Sequence, residues 1–266
     1  MASWIAHQMI ADALLARLPS LDRRGFCVGS VAPDCNVPNG DGTFTPAREI
    51  THCMTGLGKE TADYEGFYAR FAAPGLSPLA RGFLLGYCVH LIADARFQRF
   101  IRDPGRVKAM FARLKRDPAA RERLSGQPET FDAVKAAFGK AAVFRDVAAW
   151  EAAYLRANPH SGYIEVLCGL REFPDVLEML PGSMIAWKIR QNAHIPEGIP
   201  AHDGCFFPAD ECGAYLRETC AFSMAWLRGK GVEWQRAFLR DFEESPVFGK
   251  EREHSCAKRV CSANAE

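Results

Sequence analysis

The chain is predicted to be all-α, a single multi-helical domain, and three observations carry that prediction. Apolar residues recur with a period near 3.6 over most of the sequence, a serine–proline pair opens the longest such run, and no alternating β-branched run extends past four residues. Trp4, Ile5, Ile10, Leu14, Leu15 and Leu18 form the first stripe, behind an N-cap at Ser3. A long helix is predicted to start at Ser77-Pro78, with serine as cap and proline in the first turn. It runs through Phe83, Leu84, Tyr87, Leu91 and Ile92, and stops before Asp103-Pro104-Gly105. Further helices are expected at about 106–115, 129–140, 146–157, 162–171, 184–192, 209–228 and 233–243. Breaks are expected at Pro118, Pro128, Asn158-Pro159, Pro181-Gly182 and the turn-rich 195–208. Neither an internal repeat nor a low-complexity linker divides the chain, so residues 1–250 read as the domain and 251–266 as a disordered tail.

Composition narrows the function classes. Of 266 residues, 48% are hydrophobic and 24% charged, a globular balance that excludes wholesale disorder or a fibre. Lys+Arg 33 against Asp+Glu 32 leaves a formal charge of +1, which argues against a general electrostatic grip on nucleic acid or an anionic membrane. The basic segment 112–123 is interleaved with acids and reads as a solvated helix face. No apolar run reaches the roughly 18 residues of a membrane span. The N-terminal stretch lacks a basic n-region, and His7 interrupts its apolar run, so it reads as a mature amphipathic helix and the expected location is cytoplasmic. The ten cysteines form no CxxC pair, and spacings such as Cys205-x6-Cys212-x7-Cys220 are looser than a zinc knuckle. They read as small buried hydrophobes, and His254, Cys256 and Cys261 as part of a frayed terminus.

The chemistry concentrates in a few histidines and aspartates. His90 and Asp94 are four apart on the long helix, so an imidazole and a carboxylate about 6 Å apart along the axis share one face. Apolar neighbours turn that face inward, where a charged aspartate needs a partner: a metal, or a histidine hydrogen bond that closes the core. Asp34 ends the small-residue turn Gly29-Ser30-Val31-Ala32-Pro33-Asp34, His52 lies in the following loop region, and His7 is on the first helix. Each also has a plainer reading: an Asx turn, a surface loop residue, a satisfied core histidine. Together they make an N/O donor set suited to zinc. Within it, Asp34 is the candidate to orient a metal-bound water or take its proton, because a loop carboxylate is more mobile than helix-borne ligands.

The succession SWIAH, GSVAPD, TH and GYCVHLIAD resembles the zinc-dependent phospholipase C family, a relative of the zinc single-strand nucleases. The resemblance is concentrated in residues 3–100, with a weaker echo from Phe144-Arg145-Asp146 onward. It implies an all-α fold with zinc at the floor of a cleft and hydrolysis of phosphodiester or phospholipid headgroup bonds. Asp34, His52, His90 and Asp94 would match the principal zinc site, and Asp94 would bridge to a second ion that His7 helps to hold. Trp4 lies three residues inside the chain where secreted members have an N-terminal tryptophan. Phe100 stands where a further histidine is expected, and His160 and Glu165 are spaced x4 where His-x3-Glu would be. One to two zinc ions are therefore expected. A non-catalytic zinc-stabilised scaffold, or a protein that binds a phosphorylated ligand without turnover, is the alternative. His202-Asp203 is similar to the dipeptide of the His-Asp phosphohydrolases, but its Pro/Gly-rich setting favours a turn. GxSxG, GxxxxGK[ST] and GxGxxG are all absent, and no feature specifies an oligomeric state.

Overall fold

The computed structural model describes residues 3–233, which are mostly helical, 61% helix against 3% strand. The expected helix at 233–243 and the expected tail at 251–266, with His254, Cys256 and Cys261, lie outside the described residues, apart from Glu233. In order, the helices are α1 (Trp4–Leu15), α2 (Arg23–Gly29), α3 (Arg48–Thr51), α4 (Tyr64–Phe71), α5 (Pro78–Arg102), α6 (Pro104–Leu114) and α7 (Pro118–Arg123). They continue as α8 (Phe131–Phe138), α9 (Lys140–Val143), α10 (Arg145–Ala157), α11 (Gly182–Asn192) and α12 (Ala209–Gly229). Among the described residues no helix is long and apolar enough to cross a membrane.

The expected start signals work as capping physics requires. Ser3 Oγ accepts from Ala6 N at 3.1 Å and Ser77 Oγ from Ala80 N at 3.2 Å, so each satisfies a backbone donor that its helix leaves free. Asp103 ends α5 and caps α6, its Oδ1 accepting from Arg106 N at 2.8 Å. Pro118, expected as a break, instead begins α7 behind Asp117, whose Oδ1 accepts from Ala120 N at 2.8 Å. A proline at the first helical position costs no intrahelical bond, so the same residue serves as start or stop. The helix expected at 162–171 shrinks to one wide turn, Tyr163–Leu167, closed by Cys168 N donating to Tyr163 O. A two-residue hairpin, β1 (Val37–Pro38) against β2 (Phe44–Thr45), is the only strand pair among the described residues.

α5 is the central helix: every residue from Gly82 to Ala95 is buried. α2 packs against it with glycines on both sides, Gly25 and Gly29 facing Gly82 and Gly86. A Cβ added at Gly29 would sit 2.1 Å from Phe83 O, and one at Gly86 would sit 2.2 Å from Phe26 O. The two backbones meet where a side chain would otherwise separate them. Buried Gln8 ties α1 to the same place, its Nε2 donating to Cys27 O at 2.8 Å and Ser30 Oγ at 2.6 Å. α1 and α2 thus converge on the middle turn of α5, where His90 lies.

Candidate metal centre

The structure gathers the five expected residues from four separate segments. His7 comes from α1, Asp34 from the single turn Ala32–Asp34 after α2, His52 from the end of α3, and His90 and Asp94 from α5. Asp34, His52, His90 and Asp94 each offer one ligand atom, and these atoms all lie within 4.8 Å of one another. His52 Nε2 is 3.2 Å from Asp34 Oδ1 and 3.7 Å from Asp94 Oδ2, and His90 Nε2 is 3.5 Å from Asp94 Oδ2. His7 Nε2 stands 3.5 Å from Asp94 Oδ1, and the His7 ring stacks on that of His90 with centroids 3.9 Å apart.

His52 is placed differently from its expected loop setting. It caps the C-terminus of α3 and is fully buried. Cys53, at φ +48°, takes the left-handed conformation that ends the helix. The Tyr87 hydroxyl of α5 donates to Thr51 O at 2.5 Å and anchors this turn to the central helix.

Hydrogen bonds orient two of the rings. His90 Nδ1 is 2.9 Å from the Ser30 carbonyl, and His52 Nδ1 is 3.1 Å from the Arg48 carbonyl. A carbonyl only accepts, so Nδ1 carries the proton in each and Nε2 is directed into the cluster. Among the described residues, the Nε2 atoms of His7, His52 and His90, together with Asp94 Oδ1, are buried without a hydrogen-bond partner. Four such atoms converging in one spot is costly without an occupant. Burial, reinforced by the neighbouring His90, lowers the His7 pKa to about 4, so the ring is neutral at neutral pH. Burial opposes the charge on Asp94 and Asp34, but the Lys59 ammonium and the histidine contacts outweigh it and hold both carboxyls below the usual range.

These residues fit a divalent cation. Two atoms each about 2.1 Å from a tetrahedral zinc stand about 3.4 Å apart, close to the separations found here. Imidazole and carboxylate together suit zinc and several other first-row metals, so the donor set leaves the metal's identity open.

Lys59 was missed by sequence reasoning. Its ammonium reaches into the cluster and donates to Asp94 Oδ2 at 2.5 Å and Asp34 Oδ1 at 3.3 Å. It lies in GLGKE, where no periodicity or motif marks it. Two other expected groups stay out of the centre. Phe100 joins an aromatic cluster, stacked on Tyr215 with Arg106 over its face at 4.4 Å. His160 and Glu165 pair with each other at the surface at 2.7 Å, beside Arg23. Asp203 Oδ1 accepts from Cys205 N at 3.0 Å, so His202-Asp203 is part of a turn.

A cleft of about 430 Å³ opens beside the cluster, with Asp34 on its wall. Trp4, Phe44 and Phe144 supply aromatic surface, and Arg48, Lys140 and Lys188 supply positive charge. None of these three cations is in an ion pair among the described residues. The Arg48 guanidinium stacks on Phe44 at 3.8 Å, which fixes it at the rim. Glu151 of α10 borders the same cleft, 5% exposed. Comparison with protein families, with curated proteins and with solved structures finds no match.

Proposed function

We propose that the protein is a metal-dependent hydrolase of phosphodiester or phospholipid headgroup bonds, with a fold of the zinc-dependent phospholipase C type. One observation carries this reading: imidazole nitrogens without a partner among the described residues converge with two aspartates at the edge of a cleft lined by Arg48, Lys140 and Lys188. His52, His90, Asp34 and Asp94 would hold a zinc ion, with His7 beside Asp94 available to a second. Such an ion supplies Lewis acidity toward a phosphoryl oxygen and makes bound water acidic enough to attack near neutral pH.

The chain's own groups account for the rest. His90 and Asp94 sit on the rigid central helix and serve as scaffold. Asp34, 10% exposed at its side chain, borders the cleft and accepts a proton from the attacking water. Arg48, Lys140 and Lys188 offset charge on the phosphoryl oxygens, and Trp4, Phe44 and Phe144 offer apolar surface to the rest of the substrate.

The test combines elemental analysis of protein purified without added metal with turnover of a chromogenic phosphodiester and a phospholipid panel. One to two zinc ions per chain are expected. Asp34→Asn is expected to keep most of the metal and lose about 100- to 10,000-fold in turnover, the span typical of an acid–base group. Zinc-free protein that is folded and inert on the panel overturns the reading. A zinc-stabilised scaffold is the second reading, favoured by Lys59, whose ammonium already compensates the aspartates. It predicts zinc-loaded, inert wild-type protein, and an Asp34→Asn variant that melts lower.

A further inference from the structure

Glu151 is a buried carboxyl in no ion pair among the described residues. Its hydrogen-bond partner is Ser3, whose Oγ donates to Oε1 at 2.5 Å while accepting from Ala6 N. It also acts on the Tyr163 phenol and the Cys212 thiol, both pushed up to about 12, chiefly by burial, and so uncharged near neutral pH. The cleft cations Arg48, Lys140 and Lys188 make no ion pair with it. Burial, only partly offset by the Ser3 bond, raises its pKa to about 7. A carboxyl in this setting carries a proton near neutral pH and releases it readily, as an acid catalyst must.

Position gives that proton a use. Glu151 and Asp34 arrive from different elements and border one cleft, Asp34 as a member of the candidate ligand group and Glu151 outside that group. We propose that Glu151 is the proton donor to the leaving-group oxygen of the ester cleaved in this cleft, an inference that rests on the hydrolase reading. The water oxygen forms a bond to phosphorus and the phosphorus–ester oxygen bond breaks. Asp34 takes a proton from the water, and Glu151 gives its own to the departing oxygen, which leaves as an alcohol. Solvent then removes the proton from Asp34 and restores one to Glu151.

The experiment compares two esters that differ in their need for an acid. Bis(4-nitrophenyl) phosphate expels a stabilised phenolate, whereas a short-chain phosphatidylcholine expels an alkoxide that must be protonated. Glu151→Gln is expected to lose at least about 100-fold on the phosphatidylcholine and only a few-fold on the nitrophenyl ester, with zinc content unchanged. Glu151→Asp, which keeps the acid, is expected to recover part of the loss. Equal losses on both esters, or none on the phosphatidylcholine, overturn the inference while leaving the hydrolase reading in place. Wild-type protein that is zinc-loaded yet inert on both esters overturns that reading, and this inference with it. A readout independent of turnover uses metal-free protein and infrared difference spectra between mildly acid and mildly alkaline pH. Wild type is expected to lose the carbonyl band of a protonated carboxyl that Glu151→Gln lacks, and a wild-type spectrum without that band also overturns the proposal.

Discussion

Lys59 and a cation at the candidate centre would compete for the same two carboxylates. The ammonium is held between Asp34 and Asp94, and both carboxylates belong to the candidate ligand set. A metal ligated through these oxygens would displace Lys59, at the cost of two charge-assisted contacts. Lys59→Met removes the competitor and leaves buried Asp94 and half-buried Asp34 seeking a cation. The variant is expected to bind zinc about tenfold or more tightly, as measured by competition with a chromogenic chelator, and to be less stable than wild type once stripped of metal. Unchanged affinity would mean that Lys59 and the metal do not share the site. Local sequence offers no hint of this lysine, because its role depends on partners 25 and 35 residues away.

At the scale of elements, the contact between α2 and α5 sets the geometry of the centre. Gly86 lies against Phe26 O and Ser30 N, and Ser30 O is the group that holds the His90 ring. In Gly86→Ala the new methyl meets backbone, which cannot swing aside as a flexible side chain would. The helices must separate, and the expected cost is about 1–3 kcal/mol or more. Because separation also draws the Ser30 carbonyl from His90, metal affinity is expected to fall with it. Gly229→Ala is the control: it ends α12 and has nothing among the described residues within 4 Å of an added Cβ, so it is expected to be neutral or slightly stabilising. Denaturant melts of both variants with zinc titrations check the pair, and equal behaviour of the two would remove the close-approach argument.

The stability of the whole molecule carries the mark of Glu151. Its pKa is about 7 in the fold against 4.5 for an ordinary glutamate, with burial as the main cause. Between those values the folded chain binds a proton that the unfolded chain has released. The stabilisation is therefore fully present below about pH 4.5 and is lost as pH rises toward about 7. Glu151→Gln is neutral in both states and escapes that loss. Relative to wild type, the variant is expected to gain about 3 kcal/mol as pH rises through this window, with no further gain above it. Paired melting curves across the range check this, and a difference independent of pH would contradict it.

Much of the helical framework was legible because its signals are local. Ser3, Ser77-Pro78 and Asp103-Pro104 act within one turn of where they stand, and the pairing of His90 with Asp94 follows from helix pitch. The sequence alone therefore determined an all-α chain and one face of the candidate centre. Short helices such as α2, α3 and α4 escaped it, since seven, four and eight residues are too few for a period to declare itself. His7, Asp34 and His52 were legible as candidate residue types but not in their geometry. Their meeting with His90 depends on the glycine-lined approach of α2 to α5 and on Tyr87 anchoring the turn before His52. Only the tertiary structure decided that Lys59 enters the cluster and that Glu151 borders the cleft beside it. Those placements bring together side chains far apart in the chain, and helix packing, not local pattern, sets the distances between them.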